Sequence, residues 1–232
     1  MGIAERKERE KIFRREQILE AAYQLFHESG YSAATMDQIA ERAELAKGTL
    51  YLYFKSKEEV YFALLNRGLE ILIDLLEDKL SRRPPPERIL TEIANTLSEF
   101  NREYVDYIRI FIIMNQEDKQ AKLSDEICAQ FNSRAATILK LMKNEIQSLI
   151  DAGTFIPVNA MQVANLLWAA FNGISQWSLT REQMKISTTH LHDLLGFCFQ
   201  VIERGLSVDN VNVPPQGQKQ LYLHKSENKK GT

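Results

Sequence analysis

Apolar residues recur at spacings of three and four along most of the chain, the pattern of helices that each bury one face. From Ile12 to Phe26 the stripe is Ile12, Ile18, Leu19, Ala22, Leu25 and Phe26, and Gly30 follows where a left-handed helix cap belongs. Thr35, followed three residues later by Gln38, is a capping-box signature. It predicts a short helix over Met36–Ala43 with Met36, Ile39, Ala40 and Ala43 inward. A second short helix is predicted over Lys47–Tyr53. Ser56 caps the next, with Glu58 and Glu59 in the first turn, where the helix dipole favours acids. Leucines and their neighbours from Val60 carry that helix to about Leu80, and Pro84, Pro85 and Pro86 end it. Helical patterning resumes over about 87–101, 105–114, 124–152, 160–179 and 188–205, with a polar loop over 115–122 and a break at Gly153 and Pro157.

No run alternates convincingly with the strand period of two, and the Asn-Gly pair at 172–173 has no such run beside it, so no hairpin is signalled. The predicted class is all-α, with about nine helices. A three-helix head spans 1–57 and its first ten residues form a mobile arm. A connecting helix covers 58–82, a helical body 83–207, and a disordered tail 208–232.

Composition narrows the function classes. The 232 residues are 44% hydrophobic and 26% charged, the range of a soluble globular protein. The stretch from Val163 to Leu179 is interrupted by Asn165, Asn172, Ser175 and Gln176, so it reads as a buried helix and not a membrane span. The N-terminus lacks the apolar run of a signal peptide. Cys128 and Cys198 lie far apart without CxxC spacing, which fits two reduced core thiols and a cytoplasmic location. His190 and His192 are two apart on a predicted helix and point to different faces. No GxSxG, phosphate loop, GxGxxG or HExxH occurs, so neither an enzyme, a metal nor a cofactor is expected.

Two short helices joined by a tight turn behind a longer one can seat the last helix in a major groove. In Lys47–Phe54, Leu50 and Phe54 are four apart and face inward, which leaves Lys47, Thr49, Tyr51 and Tyr53 on the other faces. Gly48 costs a helix about 1 kcal/mol against alanine, so a backbone that must approach a base or phosphate would explain it. Net charge does not advertise a nucleic-acid partner: it is −2 overall, and in Met1–Lys57 ten basic residues face nine acidic ones, a net of +1. Distribution has to carry any such contact, through Lys47, Lys55 and Lys57 together and Arg14-Arg15 near the first stripe.

From Arg15 to Glu59 the string RxxILEAAxxLFxxxGYxxxTMxxIAxxAxLAKGTLYLYFKSKEE resembles the DNA-binding head of the tetracycline-repressor (TetR) family. The resemblance implies a helix-turn-helix transcription regulator that binds double-stranded DNA. Thr35 and Lys57 would hold phosphates, Lys47, Gly48 and Thr49 would face bases, and Tyr51 and Tyr53 would touch the DNA backbone. Glu44-Leu45-Ala46 stands where Gly-Val-Ser is frequent. Ala46 has no hydroxyl to cap the recognition helix or reach a phosphate, so position 46 is left out of the contact set.

One head reads one half-site, so a symmetric dimer on a palindromic operator is expected. The last two predicted helices fit that role, the final one apolar almost all round and so buried on two sides. Leu167, Leu191, Leu195, Cys198, Phe199 and Ile202 are the expected dimer residues. The resemblance also implies a small-molecule effector, released-operator control and a repressor. Phe100, Tyr104, Tyr107, Phe111, Phe131, Trp168, Phe171 and Asn172 are the candidate cavity wall, with Asp106 and Arg109 as polar fixing groups.

Overall fold

The computed structural model describes residues 2–114, 125–183 and 191–208. The predicted loop at 115–122, His190, the tail beyond Val208 and the side chains of Leu191 and His192 lie outside the described residues. Nine α-helices are present among those described: α1 Ile3–Ala33, α2 Met36–Arg42, α3 Lys47–Tyr53, α4 Lys57–Ser81, α5 Ile89–Glu103, α6 Val105–Met114, α7 Asp125–Asp151, α8 Ala160–Gln183 and α9 Leu191–Leu206. A 3₁₀ turn at Pro86–Arg88 leads into α5. The described residues contain no strand, only an isolated bridge between Phe155 and Ser207. No described helix is long and apolar enough to cross a membrane.

One expectation about α1 is corrected, the start of its buried stripe. The segment read as a mobile arm is helical from Ile3 onward, with Glu5 in its first turn accepting from the Gly2 N–H at 3.0 Å. Ile12 is 54% exposed and Phe13 66%, so the buried stripe begins at Ile18. Gly30 does break the helix, but with φ 76° and ψ 164° it lies in a region open essentially to glycine alone, not in the left-handed helical well.

The connecting helix α4 ties head to body. Val60, Tyr61 and Leu64 are buried at its head end, and Leu69, Leu72 and Leu76 in the body. It packs on α1, α5, α6 and α7, while α9 packs on α5 and α8. Gly68 marks the tightest crossing: a Cβ there would stand 2.8 Å from the Tyr107 ring on α6. Gly68→Ala is therefore expected to lower stability by about 1–3 kcal/mol through overpacking, read as an earlier thermal transition. A buried amide joins two body helices, Asn101 Nδ2 donating to Ser175 Oγ at 2.6 Å.

Candidate nucleic-acid interface

The turn and recognition helix are built from caps and one apolar stripe. Gln38 N–H donates to Thr35 Oγ1 at 3.3 Å and Thr35 N–H donates to Gln38 Oε1 at 2.9 Å, so the capping box forms at the start of α2. At its end, Glu44 N–H reaches Glu41 O at 3.0 Å and Leu45 N–H reaches Ala40 O at 2.9 Å, the two bonds of a Schellman turn. Glu44 occupies the left-handed position of that turn, with φ 53°. A side chain pays strain there that glycine does not, and the exposed acid adds negative charge just before α3. Glu44→Gly is expected to raise stability by about 1 kcal/mol and tighten DNA binding, checked by thermal unfolding and by titration of a duplex.

Helix α3 spans Lys47–Tyr53 as expected. Ala46 caps it without any side-chain bond. Leu50 and Phe54 are buried, and the Arg15 guanidinium sits 4.5 Å above the Phe54 ring. Lys47, Gly48, Tyr51 and Leu52 are exposed, while Thr49 and Tyr53 are half-buried. Apart from its two chain neighbours and the helix's own backbone, no atom stands within 4 Å of a Cβ built at Gly48, and its φ is not positive. Nothing inside the protein requires glycine at 48, so the requirement, if there is one, comes from something that approaches from outside.

Charges on this face are already engaged. Lys47 Nζ pairs with Asp37 of α2, so contact with an anion must compete with that carboxylate. Arg42 grips Glu28 through both guanidinium nitrogens, at 2.7 and 2.5 Å, and holds its carboxyl below the usual range. Lys57, expected on a phosphate, points inward instead: its Nζ donates to Tyr31 O and Ala34 O at 2.8 Å each and lies 4.3 Å from the Tyr31 ring. Two of its three donors thus anchor the end of α1 where α2 begins. Lys55 Nζ similarly donates to Tyr51 O at 3.0 Å. Thr35 remains exposed at the α2 N-cap.

The family model described as bacterial regulatory proteins, tetR family, matches residues 18–64, the stretch that carries these caps and this helix. That stretch is a tetR-family DNA-binding head. The chain is 29% identical over 147 residues to the HTH-type transcriptional regulator YhgD of Bacillus subtilis, a match spanning 63% of this chain and 74% of that one. To the HTH-type transcriptional activator FasR of Mycolicibacterium smegmatis it is 33% identical over 120 residues, half of this chain but only 55% of FasR. The crystal structure of a transcriptional regulator FadR from Bacillus subtilis in complex with stearoyl-CoA superposes with a TM-score of 0.65 over 82% of this chain and 98% of FadR, at 18% identity. That last likeness is one of fold. With that head, and like the regulators it matches, the chain is a DNA-binding transcriptional regulator and not an enzyme.

In the body, six of the eight aromatic and amide candidates line one apolar cavity: Phe100, Tyr107, Phe111, Trp168, Phe171 and Asn172. Its volume is about 20 Å³, room for a single water. Tyr104 stacks on Phe100 at 5.4 Å, and Phe131 packs on Phe62 and Phe111; neither reaches the cavity wall. The sequence reading missed the opposite wall, formed by Leu65, Gly68, Leu69 and Leu72 of α4; a lone glycine in a leucine-rich helix was the available signal. Asn172 is half-buried and spends its Nδ2 on Trp168 O at 2.9 Å.

Asp106 and Arg109 do not line that cavity. Asp106 joins body to head, accepting from Arg109 at 3.0 Å and from Tyr23 OH at 3.3 Å, with His27 Nδ1 at 2.7 Å. The Tyr23 ring stacks on Tyr107 at 5.2 Å, and burial with the Asp106 charge pushes its hydroxyl up to about 12. The cavity wall and the head thus share one aromatic pair.

The expected dimer residues need correction. Leu167, Leu195 and Phe199 are buried within the protomer and cannot touch a partner. Cys198 and Ile202 are half-buried, burial pushing the Cys198 thiol up, and the side chain of Leu191 lies outside the described residues. The exposed large apolar residues of α8 and α9 are instead Met161, Leu166, Trp177, Phe197 and Val201.

Proposed function

We propose that this regulator acts as a homodimer on a two-fold-symmetric operator, most simply as a repressor, and leaves the DNA when a small, partly apolar effector opens the body cavity. The observation that carries the DNA-reading half is α3 itself. It presents Lys47, Gly48, Thr49 and Tyr51 from a helix whose other side is locked by Leu50 and Phe54. Lys47, Gly48 and Thr49 would meet bases, while Thr35, Tyr51 and Tyr53 would meet phosphates. Lys57 would contribute chiefly by fixing the α1–α2 corner.

Dimerisation is supported by the outer stripe of α8, where Leu166 and Trp177 lie three turns apart with Gly173 exposed between them, and by Phe197 and Val201 one turn apart on α9. Pairing both helices with their copies would bury this strip and fix the spacing of two heads.

The effector reading rests on the aromatic cavity and on its route to the head. A ligand larger than one water must part α6 from α4 at the Gly68–Tyr107 crossing, and Tyr107 carries Tyr23 and Asp106 with it. An effector that prefers the opened body would thereby favour a different head position, a population shift. FadR's stearoyl-CoA points to a long acyl chain as the first class to try. The narrowness of the cavity also fits a second reading, a regulator of this fold with no inducer, acting through a protein partner.

Titrating a bound duplex with long-chain fatty acids and their CoA thioesters separates the two. Release of the DNA by one of these classes, and loss of that response in Asp106→Ala with DNA affinity retained, supports the effector route. Binding of none, in the protein with or without DNA, argues for the second reading.

A further inference from the structure

Leu52 is the one residue of the exposed α3 face that the assignments above leave without a task. It is 78% exposed, more than Ile12, Phe13, Trp177 or Phe197, and it stands between Tyr51 and Tyr53, next to last in the helix that would enter the groove. A solitary exposed leucine on an ordinary surface calls for no explanation. This one lies about one turn after Gly48, and residues four apart share a helix face. Beside it the glycine leaves an open notch: apart from its two chain neighbours and the helix's own backbone, no atom, the Leu52 side chain included, comes within 4 Å of where a Cβ would be. Lys47 and Tyr51, also one turn apart, flank the pair with polar groups.

An apolar knob next to a bare stretch of backbone fits an apolar protrusion on the DNA. Among the base edges of the major groove, only the thymine C5-methyl is such a group; guanine, adenine and cytosine present hydrogen-bond donors or acceptors. We propose that Leu52 and the Gly48 notch form a receptacle for a thymine methyl, so that thymine is selected at one fixed position in each half-site. The inference rests on α3 being the DNA-reading helix, and it adds a specificity-determining residue to the contacts assigned above. It also accounts for glycine at 48 in a way that a phosphate contact does not: a side chain there would fill the space the methyl takes.

The test needs no knowledge of the natural operator. Duplexes are selected from a random pool by the wild-type protein. Each thymine of the selected site is then replaced singly by uracil, which removes the methyl and leaves base pairing intact. Wild-type affinity should fall about fourfold at one symmetry-related pair of positions, the worth of one buried methyl. Leu52→Ala, a change on an exposed position that the fold does not depend on, should bind thymine and uracil duplexes equally there. Lys47→Ala should weaken both by the same factor and keep the uracil effect. Uracil tolerated at every position, or uracil sensitivity unchanged in Leu52→Ala, would overturn the proposal. A pool from which no sequence is enriched would overturn the DNA-reading assignment of α3, and the receptacle with it.

Discussion

Phe197→Glu is expected to turn the protein into a monomer and to cut operator affinity about a hundredfold or more. Phe197 is 64% exposed on α9, so the protomer loses little by the change. In the proposed dimer the same position would meet or adjoin its own copy, and two glutamates brought together away from water repel and must be desolvated. Operator binding by a linked pair of heads gains from the second head's high effective concentration, a factor on the order of 10² to 10⁴ that a monomer forfeits. Sedimentation gives the assembly state and a duplex titration gives the affinity. A variant that stays dimeric would mean that α8 and α9 pair elsewhere. A monomeric variant with wild-type affinity would mean that one head suffices.

Leu50→Ala is the second large effect, acting on stability. Leu50 is fully buried in the head core with Ile18, Ile39 and Phe54, and it seats α3 on the helices behind it. Truncating a buried leucine costs about 2–5 kcal/mol. The head is small, so a loss of that size should unfold it or leave α3 unseated, while α5, α8 and α9 keep the body core around Leu97, Leu167 and Phe199. Chemical denaturation followed by circular dichroism should show a new early transition that carries part of the helical signal. A single transition at the wild-type midpoint would contradict this role.

The head was legible in the sequence because its signals are local. Thr35 and Gln38 sit three apart and cap each other, and Leu50 and Phe54 sit four apart and turn inward together. Ile12 misled for a physical reason: the step from Ile12 to Ile18 is six residues, which no single helical stripe provides, and Ile12 is exposed. Phase failed in α8 and α9 as well. A helix apolar almost all round does not say which stripe meets its own core, so Leu167 was chosen where Leu166 is outward, and Phe199 where Phe197 is. Lys57 shows a different limit. Its stem is long enough to reach back 23 and 26 residues to the carbonyls of Ala34 and Tyr31, a contact with no trace in local pattern. The cavity wall from α4 and the Asp106 link to Tyr23 and His27 are likewise long-range products of packing.

That α3 reads DNA through Lys47 and its neighbours is tested most directly by titrating a selected duplex with the wild-type chain and with Lys47→Ala across a range of salt concentrations. Affinity should fall steeply as salt rises, with each phosphate contact contributing a slope of about −0.9 in log–log form. Lys47→Ala should lose about tenfold, since one good base contact is worth about 1–3 kcal/mol. Binding that ignores salt, with Lys47→Ala indistinguishable from wild type, would contradict this role of α3.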